Sequence, residues 1–189
     1  YTIDVYRGKC PTENSLLRFA CYVALFPQLV AGPIVRANSL LPQLQQEARF
    51  EWSRVFHGLE LVAWGFFLKV VLADTLGHQI DVDGWFSNPN AYGALGHMTG
   101  VLFFSFQIYG DFAGYSLIAI GLGRIMGLDF GVNFVRPYFS ATFSEFWRRW
   151  HISLSSWLRD YLFIPLGGSF HGSKKTARNL VVTMFLGGL

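Results

Sequence analysis

The residues best suited to chemistry crowd into one segment, Phe143 to Pro165, which reads FSEFWRRWHISLSSWLRDYLFIP. It holds a single imidazole, His151, directly after Trp150 and close behind Arg148 and Arg149. Phe143, Phe146, Trp147, Trp150, Leu154, Trp157, Leu158 and Tyr161 recur at helical spacing, while Glu145, Arg148, Arg149, Ser155, Ser156, Arg159 and Asp160 take the opposite side. The pattern predicts one continuous amphipathic helix, suited to the headgroup boundary or to a groove between spanning helices. Glu145 with Arg149, and Ser156 with Asp160, are i, i+4 neighbours able to support it. His151 falls at the margin of the apolar stripe, where its charged form is disfavoured; a neutral imidazole is able to accept a proton as a general base. The same position also suits a packed, hydrogen-bonded histidine, and the residues alone leave both readings open.

Two other residues carry charge where it is expensive. Asp111 lies between two glycines in Tyr109-Gly110-Asp111-Phe112-Ala113-Gly114, inside a long apolar run. A carboxylate there must face protein, water or a cation, so it is either functional or an anchor for a neighbouring helix. Arg36 closes FPQLVAGPIVR at 26 to 36, a proline- and glycine-broken stretch that reads as a kinked span or as the lining of a cavity with Arg36 at its mouth. His57, His78, His97 and His171 have no partner at metal-ligand spacing, so no metal site is expected. The chain has no H-E-x-x-H, C-x-x-C, G-x-S-x-G or P-loop, which removes the residues that zinc hydrolysis, serine hydrolysis or ATP binding would need.

The elements that must position these groups follow from hydropathy. A spanning helix needs about 20 apolar residues, and Leu16 to Val35 supplies them with interruptions at Pro27, Gly32 and Pro33. A polar connector, Pro42 to Arg54, leads to a second span, Val55 to Leu72, in which Lys69 sits near one end and is expected to snorkel to the interface while Glu60 reads as interfacial in preference to catalytic. Residues 77 to 92 read as a loop, with turn clusters at 81–84 and 87–90. Tyr92 to Leu128 is apolar over 37 residues, about 55 Å as helix, so it must fold back, tilt strongly or break; Tyr109 to Gly114 is the natural breakpoint.

Composition agrees with a membrane setting. Of 189 residues 52% are hydrophobic and only 14% charged, against roughly 25% charged in a soluble domain. This excludes a disordered linker, and two cysteines, Cys10 and Cys21, exclude a disulfide scaffold. The net charge of +3 is too small for a nucleic-acid footprint. Arg136, Arg148, Arg149, Arg159, Lys174, Lys175 and Arg178 place much of the positive charge between 136 and 178, which argues for the cytoplasmic side. The expectation is an all-α, multi-pass membrane protein with an amphipathic interfacial or re-entrant helix. The start at Tyr1 and the end at Leu189 within an apolar run suggest an internal piece of a longer protein.

EFWRRWHISLSSWLRDYLFIPLGGS at 145–169, with FPQLVAGPIVR at 26–36, GFFLKVVLAD at 65–74 and YGDFAGYSLIAIGLGRIMGLDFGVNF at 109–134, closely resembles the membrane-bound O-acyltransferase (MBOAT) family, in its bacterial alginate O-acetyltransferase-like and D-alanine exporter-like branch. The resemblance covers nearly the whole chain and implies one partial MBOAT domain over 1–189 in the bacterial inner membrane. It implies transfer of an acetyl or other short acyl group from a cytoplasmic thioester, acetyl-CoA or an acyl-carrier protein, to a hydroxyl of an exported cell-surface polysaccharide or to an intermediate acyl acceptor protein. Beyond the lipid bilayer, donor and acceptor, it implies no nucleic-acid partner and no bound cofactor. His151 matches one of two family histidines; the second, usually assigned the central catalytic role, is expected just past Leu189, so this piece alone is expected to be inactive. Arg148, Trp150, Asp111 and Arg36 become candidates for shaping or charge-balancing the tunnel. Leu117 departs from alginate-type members, which carry an acidic residue there. The competing reading is a non-enzymatic transporter or channel, to which broken helices and an intramembrane Asp are equally suited.

Overall fold

The computed structural model describes residues 1–29, 32–47, 50–79, 82–87 and 91–188, which are mostly helical with no strand among them. They group into two compact units, Tyr1–Gly131 and Val132–Leu189.

The first unit opens with α1 (Thr2–Tyr6), α2 (Leu16–Ala24), α3 (Phe26–Leu29) and α4 (Ala37–Leu44). The span expected over Leu16–Val35 is not one helix. α2 starts under a Ser15 cap and stops after nine residues at Leu25, whose ψ of 104° is extended; that is about 14 Å of helix, less than half a bilayer core. Pro27 is the cause. It has no N–H for the carbonyl four residues back, and it is tolerated only in the first turn of the new helix α3. The Gln28 side-chain amide donates to the Tyr22 carbonyl at 2.8 Å, satisfying one group freed by the break. Val30 and Ala31 of that stretch lie outside the described residues. Part of the expected polar connector is helical as α4, which buries Ala37, Leu40 and Leu41; Cys10 joins Ala37 and Leu41 in a small core with Tyr1, Val5 and Tyr22 packed around it.

Among the described residues of this unit, two helices are long and apolar enough to cross a membrane. The first is α5 (Trp52–Phe66), which runs on through π-helical turns at Phe67–Ala73 and Thr75–Gln79, giving 27 residues from Trp52 to His78. It is longer at both ends than the span read from hydropathy, and it moves Lys69 from an end to the interior, so this lysine does not snorkel from a terminus. The expected loop at 77–92 is partly helical: after the π-helical turn comes α6 (Val82–Ser87), whereas Asp81 and Asn88 to Asn90 lie outside the described residues. The second long helix, α7 (Ala94–Ile125), is 32 residues without interruption. Of the three ways to accommodate so long an apolar run, the break at Tyr109–Gly114 is not the one taken.

The glycines have a different job. A Cβ at Gly110 would come within 3.0 Å of the Leu68 carbonyl oxygen, one at Gly114 within 2.8 Å of that of Gly65, and one at Gly121 within 2.6 Å of that of Gly58. From the other side, a Cβ at Gly58 or Gly65 would meet the carbonyl of Gly121 or Gly114 at 2.7 Å. Helices surrounded by lipid gain nothing from burying apolar surface against one another, so close backbone approach over small residues holds them together. Around this seam the side chains of Trp64, Phe67, Val70, Val101, Leu102 and Phe106 stay exposed, as lipid-facing residues do.

The second unit contains a 3-10 turn at Pro137–Phe139, α8 (Phe143–Arg149), α9 (Ile152–Leu158), a π-helical turn at Arg159–Phe163 and α10 (Ser173–Gly187). The single amphipathic helix expected over Phe143–Pro165 is thus broken in two, at Trp150 and His151.

Candidate functional site

The break is built by local chemistry on both sides. α8 begins at Thr142, whose hydroxyl oxygen accepts the Glu145 N–H at 3.1 Å, while the Glu145 carboxylate accepts the Ala141 N–H at 2.8 Å. This is the capping-box arrangement encoded by Thr-x-x-Glu, shifted by one residue on the return bond. Glu145 also pairs with Arg149 one turn on, as the spacing predicts. The helix then stops: Trp150 is extended, with φ −100° and ψ 127°, and His151 is left-handed, with φ 42° and ψ 57°. For a residue with a Cβ that conformation costs about 1–3 kcal/mol unless its surroundings enforce it.

The segment Asn133–Val135 provides the enforcement. Val135 N–H donates to the Arg149 carbonyl and Ile152 N–H donates to the Asn133 carbonyl, both at 2.9 Å, one bond on each side of the turn. Trp150 is boxed by aromatic rings, edge-on to Phe134 at 5.1 Å and stacked on Phe146 at 5.5 Å. The His151 imidazole stacks over Phe134 at 6.2 Å.

Because the chain turns at this point, residues from both helices face one cleft. It has a volume of about 540 Å³ and is lined by Arg148, Trp150, His151, Arg159 and Thr183 among others, with Trp147, Leu154, Leu158 and Met184 forming its apolar wall. The structure therefore brings together three of the sequence candidates, His151, Arg148 and Trp150. His151 is half-buried here, and that burial lowers its pKa below the usual histidine value, because desolvation disfavours the imidazolium. A desolvated imidazole in a cleft that two arginines also line is equipped to take a proton. The expected Ser156–Asp160 pairing does not form: the Ser156 hydroxyl donates to the Ser153 carbonyl at 2.8 Å, and Asp160 pairs with Arg159 at 2.9 Å.

The other two candidates belong to the first unit. Asp111 is held by Lys69, whose ammonium lies 2.8 Å from its Oδ1 and 2.6 Å from Asp74 Oδ1. These three residues line a cavity of about 260 Å³ with His78 and Gln107. Asp111 thus has a lysine of the neighbouring long helix as a partner and also lines a cavity, so each of its two readings has an observation behind it. Arg36 precedes α4, its carbonyl accepting the N–H groups of Ser39 and Leu40 at 3.0 and 2.9 Å; it is not among the residues that line the Asp111 cavity.

Residues 11–189 match the membrane-bound O-acyltransferase family. The chain belongs to that family. This MBOAT chain is 47% identical over all of its 189 residues to the Probable alginate O-acetylase AlgI of Pseudomonas putida, and covers 38% of that protein. It is 37% identical over 177 residues to the Peptidoglycan O-acetyltransferase of Helicobacter pylori, covering 93% of this chain and 33% of the relative. It is 31% identical over 159 residues to the Teichoic acid D-alanyltransferase of Bacillus subtilis, covering 83% of this chain and 40% of the relative. The MBOAT chain thus spans about two fifths or less of the length of these relatives. The membrane location expected from composition agrees with the family and with the two long apolar helices.

Two contributors to the MBOAT cleft and its neighbourhood are not apparent from periodicity. Arg159 is counted there with the solvated face, and only the turn at His151 brings it to the cleft. Asn133 gives no signal at all in Gly131-Val132-Asn133-Phe134, yet it is completely buried and bonded to the start of α9.

Proposed function

We propose that the protein is a multi-pass enzyme of the bacterial inner membrane that moves an acetyl or other short acyl group from a thioester donor to a hydroxyl of an exported cell-surface polysaccharide, directly or through an acyl acceptor protein. The observation that carries this reading is the half-buried imidazole of His151 in a cleft that Arg148 and Arg159 also line, in a chain similar to proteins named for acyl transfer to alginate, peptidoglycan and teichoic acid.

The chemistry is acyl substitution. His151 takes the hydroxyl proton as that oxygen attacks the thioester carbonyl, the C–O bond forms, and the tetrahedral intermediate collapses with cleavage of the C–S bond. The imidazolium then returns the proton to the departing thiolate, so the products are an ester and a thiol. Arg148 and Arg159 offset negative charge on the donor and on the intermediate, and Trp150 with the apolar wall limits hydrolysis by water. A positioned base contributes about a hundredfold to ten-thousandfold.

The test is transfer of labelled acetyl in membranes containing the intact protein. His151→Ala is expected to abolish transfer by that factor at unchanged membrane abundance. Undiminished acylation would overturn the reading, and undiminished acylation with impaired solute flux would establish a transporter instead.

A further inference from the structure

Helix α9 begins with N–H groups that need acceptors, and the residue at the cap position ordinarily supplies one from its own side chain. The residue here is His151, and its side chain makes no cap bond. The acceptors come instead from Asn133, 20 residues earlier. Its backbone carbonyl takes the Ile152 N–H at 2.9 Å. Its Oδ1 takes the Ser153 N–H at 3.3 Å and the Ser153 hydroxyl at 2.9 Å. The two donors on Ser153 fix the orientation of the side chain, and Asn133 is 0% exposed, so water does not compete for these bonds.

We infer that Asn133 is a positioning residue: by capping α9 in place of His151 it locks the left-handed turn at His151 with the imidazole lining the cleft. This rests on the reading of His151 as the base. Two consequences of the geometry support it. A cap residue engaged with its own helix would hold its side chain against the first turn, away from the cleft that His151 lines. The left-handed backbone of His151 is also strained for a residue with a Cβ, and the two Oδ1 bonds to Ser153, which a substitution at Asn133 removes, add to the backbone bonds that hold it there.

The experiment uses the intact protein in membranes, with Asn133→Ala, Asn133→Asp and Ser153→Ala compared for abundance, kcat and KM of the thioester donor. A displacement of about 1 Å is able to reduce a rate about a hundredfold. Asn133→Ala is therefore expected to lower kcat about 10- to 100-fold with KM within about twofold. Asn133→Asp keeps the acceptor oxygen but buries a carboxylate, so it should lower the folded fraction while recovering most of the lost rate per folded molecule. Ser153→Ala, which keeps the N–H bond, should lose only a few-fold, and adding it to Asn133→Ala should change nothing further, because both act through one set of bonds. Loss of activity in proportion to loss of folded protein, or equal loss per folded molecule in the Ala and Asp variants, overturns the proposal. If His151→Ala proves fully active, the base reading fails on its own. The positioning claim is then decided by the ¹³Cα and ¹³Cβ signals of His151 in the histidine-labelled intact protein. They must leave their left-handed values in Asn133→Ala and keep them in Asn133→Asp, and unmoved signals refute it.

Discussion

Gly65 and Gly114 meet backbone to backbone: a Cβ on Gly65 would lie 2.7 Å from the Gly114 carbonyl oxygen, and one on Gly114 would lie 2.8 Å from the Gly65 carbonyl oxygen. Neither obstacle is a flexible side-chain end, so neither is able to move aside without shifting a helix. Gly65→Ala and Gly114→Ala are each expected to destabilise the α5–α7 pair by about 1–3 kcal/mol, the range for overpacking a tight contact, despite alanine's better helix propensity. Gly93→Ala, where a Cβ would meet nothing within 4 Å, should change much less. Thermal unfolding of the detergent-solubilised protein measures all three, and equal midpoints for Gly65→Ala and Gly93→Ala would show that the seam is not tight.

The same pair of helices is fastened by charge. Lys69 serves two carboxylates, Asp74 and Asp111, so removing it leaves two negative charges without their shared cation, whereas removing one carboxylate leaves an ordinary pair. Lys69→Met is expected to lose about 2 kcal/mol, less than the 3–5 kcal/mol of a fully buried pair because the lysine side chain is 25% exposed. Asp111→Asn should lose under about 1 kcal/mol. The triple variant Lys69→Met, Asp74→Asn, Asp111→Asn is expected to regain much of what Lys69→Met loses, since no unpaired charge remains. Membrane abundance and thermal midpoints report the order, and a triple variant weaker than Lys69→Met would refute the charge argument.

What could be read in the sequence was largely one-dimensional. Apolar length located both long helices, and i, i+4 spacing located the Glu145–Arg149 pair, because each depends on residues close along the chain. The glycines around Asp111 were legible as special but not as to why: a glycine that breaks a helix and one that admits a neighbouring helix look alike until the neighbour, with its own Gly58 and Gly65, is in place. Periodicity failed outright at Trp150 and His151. The stripe from Phe143 to Tyr161 fits a single helix well, and the bonds that override it come from Asn133 and Val135, far upstream. Hydropathy puts Lys69 near a helix end for a related reason, since π-helical turns carry α5 past the point where hydropathy falls. His151, Arg148 and Trp150 were found together because they are neighbours in sequence, whereas Arg159 reaches the cleft only through the turn.

The cleft predicts its own pH dependence. Burial lowers the His151 pKa, so under the proposed mechanism the neutral, active imidazole persists below the ordinary histidine value of about 6.5. The acid limb of kcat/KM for acyl transfer is therefore expected below pH 6.5. Phe134 stacks on the imidazole and contributes to its desolvation. Phe134→Ala should admit water, move that limb up toward 6.5, and leave the plateau at higher pH less affected than the rate near pH 6. Stability changes in the same window with a definite sign. The unfolded chain binds the proton more readily than the folded one, so the contribution of neutral His151 is fully present above the unfolded value and is lost as pH falls through the folded value. Rates measured at low pH must accordingly be normalised to folded protein in the same sample. A limb that stays fixed in Phe134→Ala, or one that lies above pH 6.5 in the unsubstituted protein, would separate the titrating group from His151.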